Sequence, residues 1–388
     1  MKLLLYILLV FIVVLVYKLF KSFEKNIIFT VICSLVILQI VLSPKLCMDA
    51  ALLGLNLFIT KVFPSLFPFL VATGIMISYD GVKIYSKILG KLLCKPLRLP
   101  IQCTFALVVS ILCGYPLGAK YSCDLYEQRE IDLNTCQRLI NIASNTSPLF
   151  AIGSVGTAML KSTYMGYMLL LSNYISCFVM GLILPSHSKS IKILKSDIPA
   201  KVNMNIGNVI KDSIESAVKT CLSIGGFVIL FSVITNIIKS NILFDIAVNK
   251  MNTVFLIDKS LIEGILLGAI EMTNGCYIIS TLSADMYLKA IIISFFLGFS
   301  GLSIISQVYS FTYKYDLSMR KYIVIKVLQG FICSIITAIL LKVPLFSESV
   351  QNIRYHTSSN LSVVFVFLTL LIFIPFIIYH ARRLSHSS

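Results

Sequence analysis

The sequence predicts an all-α polytopic membrane protein with two inverted-topology repeats containing re-entrant hairpins and discontinuous transmembrane helices. Three observations carry that expectation. Of 388 residues, 57% are hydrophobic and only 13% charged, against about 25% charged in an average soluble domain. Such a chain lacks the polar residues needed to cover a water-facing surface. Apolar runs of membrane-spanning length recur along it, and other apolar runs are interrupted by Gly, Pro and amide residues at matching distances in two halves.

The elements follow in order. A hydrocarbon core about 30 Å thick asks for about 20 apolar residues per helix. Residues 3–20, 27–43, 62–79, 164–184, 214–238, 322–341 and 361–379 meet that demand. The first stretch follows a lone Lys2 and precedes Lys18, Lys21 and Lys25 without an A-x-A cleavage site, so it reads as an uncleaved span. Lys83, Lys87, Lys91, Lys95 and Arg98 recur mostly at i,i+4 spacing, which predicts an amphipathic helix on the cytoplasmic surface. Tyrosine (18 copies, no Trp) must supply the aromatic belt, for example Tyr6, Tyr17, Tyr79 and Tyr379.

The charge sets the orientation. Lys and Arg number 33 against 17 Asp and Glu, a net charge of +16. In a polytopic membrane protein that excess belongs to cytoplasmic loops rather than to a nucleic-acid interface. Loop 185–208 (Lys189, Lys192, Lys195, Lys201), loop 314–326 (Lys314, Arg320, Lys321, Lys326) and the tail with Arg382 and Arg383 are accordingly predicted inside. Segment 50–79 then runs opposite to 209–238, and 164–184 opposite to 322–341. Tyr79 and Ile238 stand 159 residues apart, Pro116 and Asn274 158, and Ser147 and Ser303 156. A near-constant offset at three landmarks marks an internal repeat.

The predicted organisation is therefore N-terminal transmembrane helices over 1–44, a first repeat over 45–185 and a basic cytoplasmic linker over 186–208. A second, inverted repeat follows over 209–342, then an outside loop, a last span and a basic tail over 343–388. Each repeat needs an odd number of crossings between its opening and closing helices, so one re-entrant hairpin and one broken span are expected per half. The residues leave open which interruption is which.

Cysteine and histidine argue against other chemistries. Eleven Cys occur, with Cys33, Cys103, Cys113, Cys177, Cys221 and Cys333 inside apolar runs and no CxxC pair. The odd number forbids complete pairing, and reduced thiols packed as small hydrophobes are expected. The four histidines (His187, His356, His380, His386) flank or follow apolar segments, so no HExxH zinc site exists. No metal, no cofactor and no enzymatic activity are expected.

Four strings interrupt the apolar runs, and helix breaks are tolerated in membranes only where buried in protein or lining a wet cavity. The first runs from Cys113 through Gly114, Tyr115, Pro116 and Gly118 to Lys120, which offers a cation beside the break; the alternative is an ordinary cytoplasmic loop. The second is Ser144-Asn145-Thr146-Ser147-Pro148, hydroxyls and an amide running directly into Leu149-Phe150. The third is Glu271-Met272-Thr273-Asn274-Gly275, whose intramembrane carboxylate costs about 2.5–3.5 kcal/mol on insertion scales. Proton or cation coupling by Glu271 and a buried pair with Lys120 are both open. The fourth is Gly298-Phe299-Ser300-Gly301-Leu302-Ser303 with Gln307 one turn on, either close helix packing or a ligand partner. Paired discontinuous helices in inverted repeats place a transporter's substrate near the midplane. The candidate substrate residues are Gly114, Tyr115, Pro116, Gly118, Lys120, Asn145, Thr146, Ser147, Thr273, Asn274, Gly275, Gly301, Ser303 and Gln307.

The run GYPLGAK (114–120), the helix with Cys136-Gln137-Arg138-Leu139, and SNTSPLF (144–150) resemble the first half of the sporulation integral membrane protein YlbJ (SpoVV) family, which carries a nucleoside-recognition Gate domain. EMTNG (271–275) and GFSGLSIISQV (298–308) are similar to its second half, so the resemblance covers roughly residues 45–345. It implies a multi-pass protein of the mother-cell and outer forespore membranes that moves dipicolinate toward the forespore. The implied partners are a small anionic substrate and the lipid bilayer, not nucleic acid. Opposed half-helix N-termini and Lys120 would then hold two carboxylates, with Phe150, Tyr115 or Tyr277 on the ring. A nucleoside transporter or a non-transporting sporulation factor is the alternative, favouring Asn145, Thr146, Asn274 and Gln307 over Lys120.

Overall fold

The computed structural model describes residues 25–79, 81–186 and 205–342, and all regular structure among them is helical. The expected spans at 3–20 and 361–379, the loop at 343–360, the tail and most of the basic linker lie outside the described residues.

The chain opens with α1 (Lys25–Leu42) and α2 (Pro44–Leu57). Pro44 sits at the first helical position, where its missing N–H leaves nothing unpaired. Residues Thr30–Leu42 and Pro44–Thr60 meet at 105°. A wide π-type turn over Phe58–Val62 leads into α3 (Phe63–Ser78), then α4 (Gly81–Cys94), α5 (Thr104–Cys113), α6 (Leu117–Glu127) and α7 (Leu133–Ile142). A π-type segment, Leu149–Met159, precedes α8 (Thr163–Ile183). The second half comprises α9 (Ile206–Lys239), α10 (Ile242–Phe255), α11 (Lys259–Ile270), α12 (Met272–Thr281), α13 (Met286–Phe299), α14 (Gly301–Thr312) and α15 (Met319–Leu340).

Short polar side chains start these helices by accepting from orphan backbone N–H groups. Asp132 takes Thr135 N, Ser162 takes Met165 N, Asn205 takes Gly207 N and Asn241 takes Leu243 N. Asp258, Asp285 and Ser318 do the same for α11, α13 and α15. Among the described residues, four helical stretches are long and apolar enough to cross a membrane: α8, α9, α13 with α14, and α15. The bent 30–60 stretch makes a fifth if it crosses as one span.

Small residues set the packing, because in lipid close backbone approach rather than water exclusion joins helices. The long α9 runs antiparallel along α2 and α3, with Gly54 against Ile229 and Ser232, Gly225 against the Phe58 ring and Gly74 against Ser213. Ser232 Oγ donates to Ala50 O at 2.8 Å. Likewise α13 runs antiparallel to α15: Gly298 meets Gly330, and Tyr287 Oη donates to Ala338 O.

The two interruptions of each half resolve differently. The first turns the chain back: α5 and α6 form an antiparallel hairpin with Gly118 against Ser110 and the Phe105 ring edge-on to Tyr121. In the second half α11 and α12 do so, with Gly268 against Gly275 and Gly264 against Ile279. The second interruption lets the chain run on. Beyond the 143–148 break, α7 gives way to the 149–159 segment, which packs instead on α8 and α12. Beyond Ser300, α13 continues as α14 within one 27-residue stretch.

One end of the molecule gathers residues near 98, 126–138, 184–186 and 315. Arg138 donates to the carbonyls of Arg98, Gly181 and Leu184, and Tyr126 stacks edge-on with Tyr315 at 5.4 Å. Lys87, Lys91 and Lys95 are exposed, while Cys94 and Leu97 are buried. Elsewhere Leu160, Leu282, Met286 and Leu341 join a second core. All eleven cysteines are free, ten of them buried and Cys33 exposed.

The basic cluster expected in loop 314–326 is corrected at one position. Lys314, Arg320 and Lys321 are exposed, but Lys326 lies two turns inside α15 and is fully buried. Helix rotation aims it at the protein interior, where Ser144 O accepts from Nζ at 3.2 Å and Gln329 Oε1 at 2.9 Å.

Candidate functional site

Each hairpin tip rests on the break of its own half. Tyr115 N donates to Asn145 O at 2.7 Å. Gly114, at φ +79°, brings its Cα so close to Thr146 and Ser147 that a Cβ would lie 2.5 Å from Ser147 N. In the second half Gly301, at φ +74°, faces Ile270 O and Met272 N. Both positions use the left-handed backbone that glycine adopts without steric cost.

The tips then meet each other. Tyr115 Oη donates to Met272 Sδ at 3.1 Å across a separation of 157 residues. Asn173 of α8 ties the two breaks together, accepting from Thr146 N at 2.9 Å and donating to Leu297 O at 3.0 Å.

Between these parts lies a cavity of about 540 Å³, within the range of small-molecule sites. All four interrupted strings reach it. Tyr115, Pro116, Thr146, Ser147, Glu271, Thr273, Asn274, Ser303 and Gln307 line it, with the rings of Phe150 and Tyr277. Gly114, Gly118, Asn145, Gly275 and Gly301 stand outside the lining and shape it through backbone contacts. Gly118, for example, is pressed against Ala143 O.

Lys120 is not in the cavity wall. Its Nζ pairs with Asp124 at 3.4 Å and sits 4.6 Å from the Tyr121 ring centroid. Glu271 does not pair with it either. As N-cap of α12, the carboxylate accepts from Thr273 N at 3.1 Å and Asn274 N at 2.8 Å. A carboxylate there complements the positive end of the helix dipole. Gln307 is the opposite case: it is buried, lines the cavity, and neither its amide oxygen nor its amide nitrogen has a partner. Unpaired buried amide groups are costly, so Gln307 brings an unused donor and an unused acceptor to the cavity wall.

Sequence reasoning missed two cations. Lys161 lines the cavity from an exposed turn at φ 56° and is the only charged residue between 149 and 184. Lys326 is the only charge within the expected span 322–341, which is the signal that separates it from the loop lysines. It lies behind the wall, 5.8 Å from the Tyr115 ring centroid.

No protein-family model matches the chain. The sporulation integral membrane protein YlbJ of Bacillus subtilis (strain 168) is 27% identical over 352 residues, covering 84% of this chain and 86% of that protein. Among solved structures, CNTnw in an inward-facing substrate-bound state matches at a TM-score of 0.47 and 12% identity, over 72% of this chain and 75% of that one. A CNTnw variant in the intermediate 3 state matches at 0.48 and 13%, over 73% and 76%. The chain is a multi-pass membrane protein, helical throughout its described regular structure, and is similar along most of its length to the sporulation integral membrane protein YlbJ.

Proposed function

We propose that the chain is a sporulation membrane transporter that carries dipicolinate, a small aromatic dicarboxylate, from mother cell toward forespore. The observation that carries this reading is the convergence of four interrupted strings, two from each half, on one cavity. Broken helices are tolerated at membrane depth where they line such a space, and a site between paired breaks is a transporter plan. The N-termini of α6 and α14 have no side-chain cap, which leaves backbone N–H groups and a positive dipole end near the cavity for an anion. Tyr115, Phe150 and Tyr277 offer faces for a flat ring.

In this reading residues 45–185 and 209–342 are inverted repeats, each a re-entrant hairpin followed by a broken span. Residues 1–44 are N-terminal spans, 186–208 a cytoplasmic linker, and 343–388 an outside loop, last span and tail. The end holding Arg98 and the 126–138 region is cytoplasmic, by its lysines and arginines. The cavity then opens away from the cytoplasm, where Lys161 and Thr281 are exposed. Mother-cell and outer forespore membranes are the proposed location, and Glu271 the candidate for a coupling ion.

A second reading is favoured by Gln307 and Asn274, whose amides suit a neutral, nucleoside-like ligand. Uptake by the purified chain in liposomes decides between them. Labelled dipicolinate is expected to enter and to be competed by unlabelled dipicolinate. Uptake of nucleosides alone moves the assignment to the second reading, and uptake of neither leaves a non-transporting sporulation factor.

A further inference from the structure

Lys326 is 0% exposed and lies within ion-pair distance of no carboxylate among the described residues. An isolated buried ammonium is costly, by several kcal/mol even after relaxation. Its surroundings show how it is held. Two N–H bonds go to Ser144 O and Gln329 Oε1, and the ammonium also sits near the Tyr115 face. Gln329 is itself anchored, its Nε2 donating to Cys177 Sγ. Tyr322 Oη, one turn before Lys326, bonds Ser144 Oγ at 3.1 Å.

These contacts place the cation against both structures that form the first-half wall of the cavity. Ser144 opens the string whose Thr146 and Ser147 line the cavity, and Tyr115 lines it from the hairpin tip. The other two charges near the cavity are accounted for differently. Glu271 lies on the second-half tip with its oxygens engaged by Thr273 N and Asn274 N. Lys161 is exposed, so water and salt screen it. Lys326 is screened by neither, and charge in a low-dielectric setting acts strongly over the width of a ring.

We propose that Lys326 is a specificity-determining residue: from behind Tyr115 and Ser144 it makes this cavity select an anionic ligand over its neutral isostere. The inference rests on the proposed anion-transport reading and identifies the source of the selectivity. Lys326 acts through the wall as a positioning charge and does not touch the ligand.

The test compares two probes of nearly equal shape, dipicolinate and pyridine-2,6-dicarboxamide, by calorimetry on the full chain in lipid nanodiscs. Wild type is expected to bind the dianion at least about tenfold more tightly than the diamide. In Lys326→Gln the ratio is expected to fall within about threefold while diamide affinity holds, which also reports an intact cavity. Gln329→Glu gives a second, nearly isosteric arm, placing a counter-charge 2.9 Å from the ammonium in wild-type geometry. It is expected to lower the ratio in the same way, and it serves if Lys326→Gln does not fold. Lys326→Arg, which keeps the charge, should retain most of the preference. A wild-type ratio preserved in Lys326→Gln, or in Gln329→Glu where the former is not folded, overturns the role of Lys326 and leaves the anion site standing. Failure of wild type to bind dipicolinate overturns the anion reading itself.

Discussion

Glycine decides how near the helices of this protein come to one another. At Gly275 a Cβ would fall 2.2 Å from Gly268 Cα, backbone against backbone, with no flexible side chain to give way. Gly226, in the same half, has nothing within 4 Å of that position. Gly275→Ala is therefore expected to destabilise the second hairpin by about 1–3 kcal/mol, the usual range for overpacking. Gly226→Ala should leave the melting temperature unchanged or slightly raised, since Ala is the better helix former by about 1 kcal/mol. Thermal unfolding of the two purified variants checks the pair; equal loss in both would remove the packing explanation. Arg138 works at the same scale, gathering three carbonyls from α8 and the Arg98 turn with one planar group.

At the scale of elements, the caps separate structural from functional charge. Glu271 ends α11 and begins α12, and its two oxygens serve two N–H groups of the new helix. Glu271→Ala removes that cap and is expected to cost about 0.5–2 kcal/mol of stability. Glu271→Gln keeps one acceptor oxygen and should lose less. If Glu271 also carries the coupling ion, the Gln variant stops gradient-driven accumulation in liposomes but still exchanges substrate across a membrane without a gradient. Retained accumulation in Glu271→Gln would confine the residue to capping. Lys120, adjacent to the first break in sequence, is held by Asp124 one turn on, so its charge is spent within α6.

For the whole molecule, the decisive relation is the meeting of two hairpin tips 157 residues apart in the chain. Each tip sits on its own broken helix, and the two sets face one cavity. The proposed inverted topology puts the α6–α7 turn and the α10–α11 turn on opposite sides of the membrane. Reporters inserted after Arg129 and after Ile257 test it. A fluorescent protein, which folds inside, should light only the first site, and alkaline phosphatase, active outside, only the second. The same reporter responding at both sites would end the inverted-repeat reading.

Much of this architecture is legible locally. Composition alone demands a bilayer, and apolar runs near 20 residues mark α3, α8 and α15 within a few residues, whereas α9 begins eight residues before its expected span, in the polar turns from Ile206. The breaks at 114–116, 144–148, 271–275 and 300–301 are visible because Gly, Pro and amides interrupt runs that would otherwise continue as helix. Backbone propensity and transfer energy act through neighbouring residues, so the sequence by itself determined the membrane class, the helices and their interruptions. Side-chain partners depend on helix rotation and on contacts between distant segments. Only the tertiary structure therefore decided that the first break of each half turns back, that Glu271 caps a helix instead of meeting Lys120, and that Lys326 faces inward. The cavity belongs to that second group: it exists only where residues from both halves meet, and the spacing along one chain cannot state which faces those residues share.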